Sequence, residues 1–140
     1  MPHSEPFEVI DHTADVGIVA RGKTLPELFA NAATGMMHFL ISPEAVRPDT
    51  SRRLTVEADD LPGLLVAWLN ELLVLLNADG FVPAAFEVHE IDEHRLTGVV
   101  WGEPVDATRH RFRLDVKAAT YHQLCVKKND GWEARVIFDV

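Results

Sequence analysis

An α+β fold is predicted for this 140-residue chain: one domain, residues 1–140, in which a mainly antiparallel β-sheet carries two α-helices packed on one face. Three observations predict it. Only two stretches have a helical period. From Phe86 onward turn residues recur at close intervals and no helical period appears, which is the pattern of a β meander. The resulting order, β-β-α-β-α followed by five short strands, lacks the strict alternation that a parallel βαβ sheet requires.

The first two strands are Phe7-Glu8-Val9-Ile10 and Ile18-Val19-Ala20, rich in β-branched residues that suit a pleated, half-buried surface. Asp11 to Asp15 forms the bend between them, and Gly17 admits a close backbone contact. Thr24-Leu25-Pro26-Glu27 starts the first helix: Thr24 caps, Glu27 completes a capping box and Pro26 fits the first turn. Leu25, Leu28, Phe29, Ala32, Met36 and Phe39 then form an apolar stripe that ends near Leu40, with His38 covering its border. After a breaker-rich loop, Arg53 to Ala58 alternates polar with apolar as a third strand.

Asp59-Asp60-Leu61-Pro62 opens the second helix with acidic residues at its positive end, and Ala78-Asp79-Gly80 stops it. Between Leu64 and Leu76 this helix is apolar on most of its circumference, so it is expected to be deeply buried. Glu71 is its exception, expected at a solvent-facing edge. Phe86–Ile91 and Leu96–Trp101 flank Asp92-Glu93-His94-Arg95 at hairpin spacing, which puts His89 and His94 on a solvent face and in a turn.

Arg109 to Lys117 reads as a strand with His110, Phe112, Leu114 and Val116 on its core face. Arg109, Arg111 and Arg113 lie on the other, expected to pair with acidic residues of a neighbouring strand. In the last strand Trp132, Ala134, Val136 and Phe138 face the core, while Glu133, Arg135, Ile137 and Asp139 face away.

The net charge of −9 opposes stable binding to nucleic acid and favours a basic protein partner or a cation. The single cysteine, Cys125, excludes an intramolecular disulfide and a cysteine-based zinc site; between Leu124 and Val126 it is expected to be a buried, inert thiol on a strand. The Leu64–Leu76 run is too short to span a bilayer, and no cationic, apolar leader opens the chain, so a cytoplasmic protein without a membrane partner is expected.

No phosphate loop, nucleophile elbow or zinc-protease motif occurs. What chemistry there is concentrates in Asp11-His12-Thr13-Ala14-Asp15-Val16-Gly17. Asp11 and Asp15 offer hard carboxylate oxygens for calcium, magnesium or manganese, and His12 a nitrogen better suited to zinc. An Asx-type turn, its side chains bonding local amides, accounts for the same residues. His122, after Thr120-Tyr121, could line the same pocket as His12 or simply bond a turn backbone. Asp139 and the carboxylate of Val140 need either a cation or open solvent.

The string DHTADVG, taken with Thr120-Tyr121-His122 and the run Trp132 to Val140, resembles the archease family from about residue 7 to the last residue. Leu69-Asn70-Glu71-Leu72-Leu73, Glu103-Pro104-Val105-Asp106 and His110 also follow its pattern. The resemblance implies a divalent cation held by Asp15, Asp139 and Val140: calcium first, with manganese or magnesium as alternatives. It implies a functional role for Lys117 and a secondary place for Asp11.

The resemblance further implies an accessory protein, not itself an enzyme, that activates the metal- and GTP-dependent tRNA-splicing RNA ligase of the RtcB type. It would do so by promoting the ligase's guanylylation and multiple turnover. Two other readings stand beside it. A small metal-dependent phosphate-ester hydrolase would use Asp11, His12, Asp15 and His122 as ligands or base. A chaperone-like binding module would need only an exposed apolar face.

Overall fold

A computed structural model describes residues 5–11 and 15–140. His12, with Thr13 and Ala14, lies outside the described residues.

The first two strands, β1 (Phe7–Asp11) and β2 (Val16–Gly22), pair antiparallel, Asp11 opposite Val16. Helix α1 (Leu25–Leu40) begins as the sequence predicts: the Thr24 hydroxyl accepts from the Glu27 N–H at 3.3 Å. The Glu27 carboxylate closes the cap by accepting from the Lys23 N–H at 3.1 Å, one residue before the box position. Strand β3 (Thr50–Glu57) leads to α2 (Leu61–Asn77), which Asp60 caps by accepting from the Gly63 N–H at 2.8 Å. Gly80, at φ +64°, supplies the left-handed turn into β4 (Phe81–Ile91). Its hairpin partner is β5 (Arg95–Pro104), and the Asp92 carboxylate fixes the turn by accepting from the N–H groups of His94 and Arg95. Those two bonds hold its carboxyl below the usual range. Short strands β6 (Ala118–Ala119) and β7 (Cys125–Lys128) precede β8 (Trp132–Asp139).

The α+β class is as expected, with two helices and strands that are all antiparallel, but the strands form two sheets. One runs β1-β2-β8-β6, with β7 also on β8; the other runs β3-β5-β4. The division has a simple cause. A strand has two edges, and those of β2 are filled by β1 and β8, those of β8 by β2 and the β6–β7 pair. The meander therefore closes on itself as a separate sheet. Helix α1 packs on β1, β2 and β8 and also on β4, and α2 touches β3, β4 and β5 as well as β6 and β7, so the helices bind the two sheets together.

The core lies along this seam. Trp68, fully buried, donates its indole N–H to the Phe29 carbonyl at 3.0 Å and so joins α2 to α1 with its polar atom satisfied. Gly17 permits the tight β2–β8 contact, since a Cβ there would stand 2.7 Å from Ile137 Cδ1 and 2.8 Å from the Val136 carbonyl. None of the helices among the described residues is long and apolar enough to cross a membrane.

Three expectations are corrected. Arg109–Lys117 is not a strand: only Lys117 touches a ladder, through its N–H on the Asp139 carbonyl, and Arg113 N–H goes instead to Leu40 O at the end of α1. The cations there satisfy local acceptors rather than a neighbouring strand's row. Arg111 donates to Ala107 O, Arg113 to His38 O, and Arg109 alone meets a carboxylate of β5. The alternation survives in part, with His110 and Val116 buried and Phe112 exposed. Cys125 opens β7 as a strand residue but is exposed, because β7 is an edge strand. Ile137, on the outward face of β8, is fully buried, and the close approach of Gly17 is part of its covering.

Candidate functional site at the open end of the first sheet

Register brings the sequence-predicted residues together. Val16 pairs with Phe138 as the last rung of the β2–β8 ladder, so Asp15, just before β2, and Asp139, at the end of β8, both lie at that end of the sheet. On the far side of β8, Ala118 pairs with Asp139, and the Lys117 N–H donates to the Asp139 carbonyl at 2.8 Å. Asp15, Asp139, Val140 and Lys117 thus meet at one sheet end although they come from three separated stretches of chain. Asp139 and Lys117 are exposed, and Asp15 and Val140 are half-buried. Asp11 ends β1 beside Val16, one strand further out.

The turn after β6 sits beside this cluster. Thr120 directs both its N–H and its hydroxyl to the Ile137 carbonyl, at 3.0 and 2.8 Å, which locks the turn to β8. The Thr120 hydroxyl also accepts from the His122 N–H at 3.3 Å. His122 is exposed in this turn, just before β7.

The strand β6 that follows Lys117 is tied to α2 as well as to β8, by a residue the sequence did not single out for this role. Asn70 brackets Ala119: its Oδ1 accepts from the Ala119 N–H at 2.8 Å, and its Nδ2 donates to the Ala119 carbonyl at 3.4 Å. Glu71, half-buried beside it, makes no such bond. An amide in an otherwise apolar helix was the available signal, since it must spend donor and acceptor on something.

A second charged constellation lies away from this end. Glu103, 6% exposed, receives Arg109 on both carboxylate oxygens, the Arg47 N–H at 2.7 Å and His110 Nε2 at 3.0 Å. The Arg109 guanidinium first, then the Arg47 amide, hold the Glu103 carboxyl far below the usual carboxylate range; the same pairing raises Arg109. His110 Nδ1 accepts from the Asp106 N–H at 2.9 Å, so the ring proton sits on Nε2, directed at Glu103. Asp106, bonded by the Thr108 hydroxyl and amide, is likewise held low. Both Glu103 oxygens and both ring nitrogens of His110 are engaged, which marks this knot as structure.

Among the described residues no three His, Cys, Asp or Glu side chains gather as a metal cluster. The donors that the sheet end does offer, two Asp carboxylates and the main-chain oxygen of Val140, are all oxygen, the set a hard divalent cation takes and zinc does not prefer.

A two-sheet α+β protein, bound by two helices and carrying two aspartates at the end where its second and last strands pair, is the class these features define. Within it the chain belongs to the archease family: the profile of the Archease protein family matches residues 7–140. Protein archease of Methanosarcina barkeri is 40% identical over 139 residues, covering 96% of this chain and 95% of that protein. Protein archease of Sulfurisphaera tokodaii is 37% identical over 128 residues, covering 90% and 91%. The solution structure of Methanobacterium thermoautotrophicum protein 1598 superposes with a TM-score of 0.82 at 33% identity, covering 97% of this chain and 99% of that one.

Proposed function

We propose that this protein is an accessory factor of the GTP- and metal-dependent tRNA-splicing RNA ligase, promoting its guanylylation and multiple turnover from the acidic sheet end. The observation that carries this reading is the register that pairs Val16 with Phe138, so that Asp15 and Asp139 share one sheet end, together with the bond from the Lys117 N–H to the Asp139 carbonyl. Carboxylates at one sheet end offer the hard oxygen donors that a divalent cation takes. A divalent ion, calcium first and manganese or magnesium as alternatives, would be held by Asp15, Asp139 and an oxygen of Val140, and would supply positive charge to an anionic reacting group.

The chain's own residues do the rest. The sheet end, where Asp139 is exposed, would dock in the ligase cleft, and its negative charge favours the positively charged cleft of an RNA-binding enzyme. Lys117 places one cation beside the carboxylates, where a phosphate can be met. His122 borders the tip, while Asp11 stands one strand out and serves at most to set its charge. The chain itself forms no bond with RNA in this reading and makes its contact with the ligase in the cytoplasm.

The test is ligation by the cognate ligase with RNA in excess over enzyme, scoring ligase guanylylation and product. Wild type should raise turnover, and Asp15→Ala, Asp139→Ala and Lys117→Ala, each first shown to be folded, should not. Calorimetric titration with calcium or manganese should give binding that Asp15→Ala abolishes. Full activation by all three variants would overturn the site, and no activation by wild type would overturn the function.

A further inference from the structure

A groove of about 480 Å³ opens where both helices end, in the size range of about 300–1,000 Å³ typical of binding clefts. Leu40 closes α1 on one side of it, and Leu76 and Asn77 close α2 on the other; the remaining wall is Val105 together with Phe112 to Asp115. Both walls are anchored by main-chain bonds of 2.8 Å, Arg113 N–H to Leu40 O and Val105 N–H to Gly80 O, so the groove is preformed. Its wall also shows apolar surface to solvent. Val105 is 40% and Phe112 42% exposed, two of the five large apolar residues exposed among those described.

The main chain and the charge say what fits. The wall segment has no strand partner, and the N–H groups of Phe112 and Leu114, which alternate with the Arg113 N–H bonded to Leu40, meet no acceptor among the described residues. An adjacent extended chain would satisfy them. The two helix ends differ in charge. Arg113 donates to the His38 carbonyl and neutralises the carboxyl end of α1. The last turn of α2 has no basic residue, and exposed Asp115, which has no ion pair among the described residues, stands in the wall beside it. An apolar floor with a negative rim takes apolar side chains flanked by cations.

We propose that this groove binds an extended segment of a protein partner in which bulky apolar side chains alternate with lysine or arginine. The apolar groups seat on Leu76, Val105 and Phe112, the cations face Asp115 and the carboxyl end of α2, and the main chain meets the open N–H groups of the wall. The proposal goes beyond the ligase reading and does not require it.

The experiment titrates the isotope-labelled full chain with an acetylated, amidated hexapeptide of alternating leucine and lysine, and with its leucine–glutamate counterpart, following backbone amide signals. The basic peptide should shift the amides of residues 112–115 and 76–77, and its affinity should fall as salt is raised. Asp115→Lys should weaken it about tenfold and Phe112→Asp should abolish it, while Asp15→Ala leaves it unchanged. Phe112 and Asp115 are exposed, so both variants should keep the spectrum of the folded chain elsewhere. Equal binding of the acidic peptide, shifts confined to other surfaces, or no shift at millimolar peptide would overturn the proposal. So would groove shifts on dilution without peptide, which would make the occupant a second copy of this chain.

Discussion

The Glu103 knot and the Asp15–Asp139 sheet end use the same kinds of side chain to opposite purpose. In the knot a carboxylate, a guanidinium and an imidazole meet in the interior, and each charge is answered by a neighbour. At the sheet end main-chain bonds fix the positions while Asp139 and Lys117 face solvent. The difference teaches that a perturbed carboxylate is not in itself a sign of function. The most strongly shifted acid of the described chain is the one whose partners leave it nothing to do.

The largest effect expected from this contrast is a crossed pair of phenotypes. Glu103→Ala leaves Arg109 and His110 facing an empty acceptor, so it should lower the melting temperature strongly, read by thermal denaturation. Asp139→Ala should alter stability by no more than about 0.5 kcal/mol, as exposed substitutions usually do, yet remove the stimulation of ligation. If both variants fail to fold, or both fold and activate, the contrast collapses.

The second effect is on pH. The folded-state pKa of Glu103 is depressed, so its contribution to stability is complete above the ordinary carboxylate value and is lost as pH falls below it. Wild type should therefore lose stability steeply from about pH 4.5 downward. Glu103→Gln should flatten that slope, whereas Asp139→Ala should not, as denaturant titrations across the pH range would show.

Asn70→Ala should have an intermediate effect. It removes both bonds to Ala119, which predicts a loss of about 1–2 kcal/mol and a partial fall in ligation stimulation, since Lys117 remains present but is less well held. Stimulation equal to wild type would show that Lys117 needs no support from α2. The smallest effect concerns Cys125: being exposed, it should react fully with a thiol reagent in the native protein, and Cys125→Ser should change stability by no more than about 0.5 kcal/mol.

Much of this was legible in the residues. Both helices, their caps at Thr24 and Asp60, the Asp92 hairpin and the glycine stop at Gly80 follow from local chemistry, so a local reading finds them. The division into two sheets was not legible, because strand partners are chosen by competition for edges across the whole chain. Arg109–Lys117 misled for a related reason. Alternation records which side chains are buried, and a segment lying against helix ends can alternate without any ladder. Cys125 misled because apolar neighbours cannot tell an edge strand from a central one. Asp15, Asp139, Val140 and Lys117 could be picked out only by family resemblance, and their meeting at one sheet end is a consequence of register, which no single stretch contains.

The position of β8 has a kinetic consequence. It is the last strand in chain order and the inner one in its sheet, joining Val16 to Phe138 across most of the sequence. The β1–β2 hairpin can close early, but its inner edge then waits, unpaired and adhesive, for a strand made last. Contacts so distant in sequence slow the search for the native topology toward the millisecond-to-second range. Docking of β8 should thus be the late step of refolding, and the tip carrying Asp139 should come into being only as that step completes.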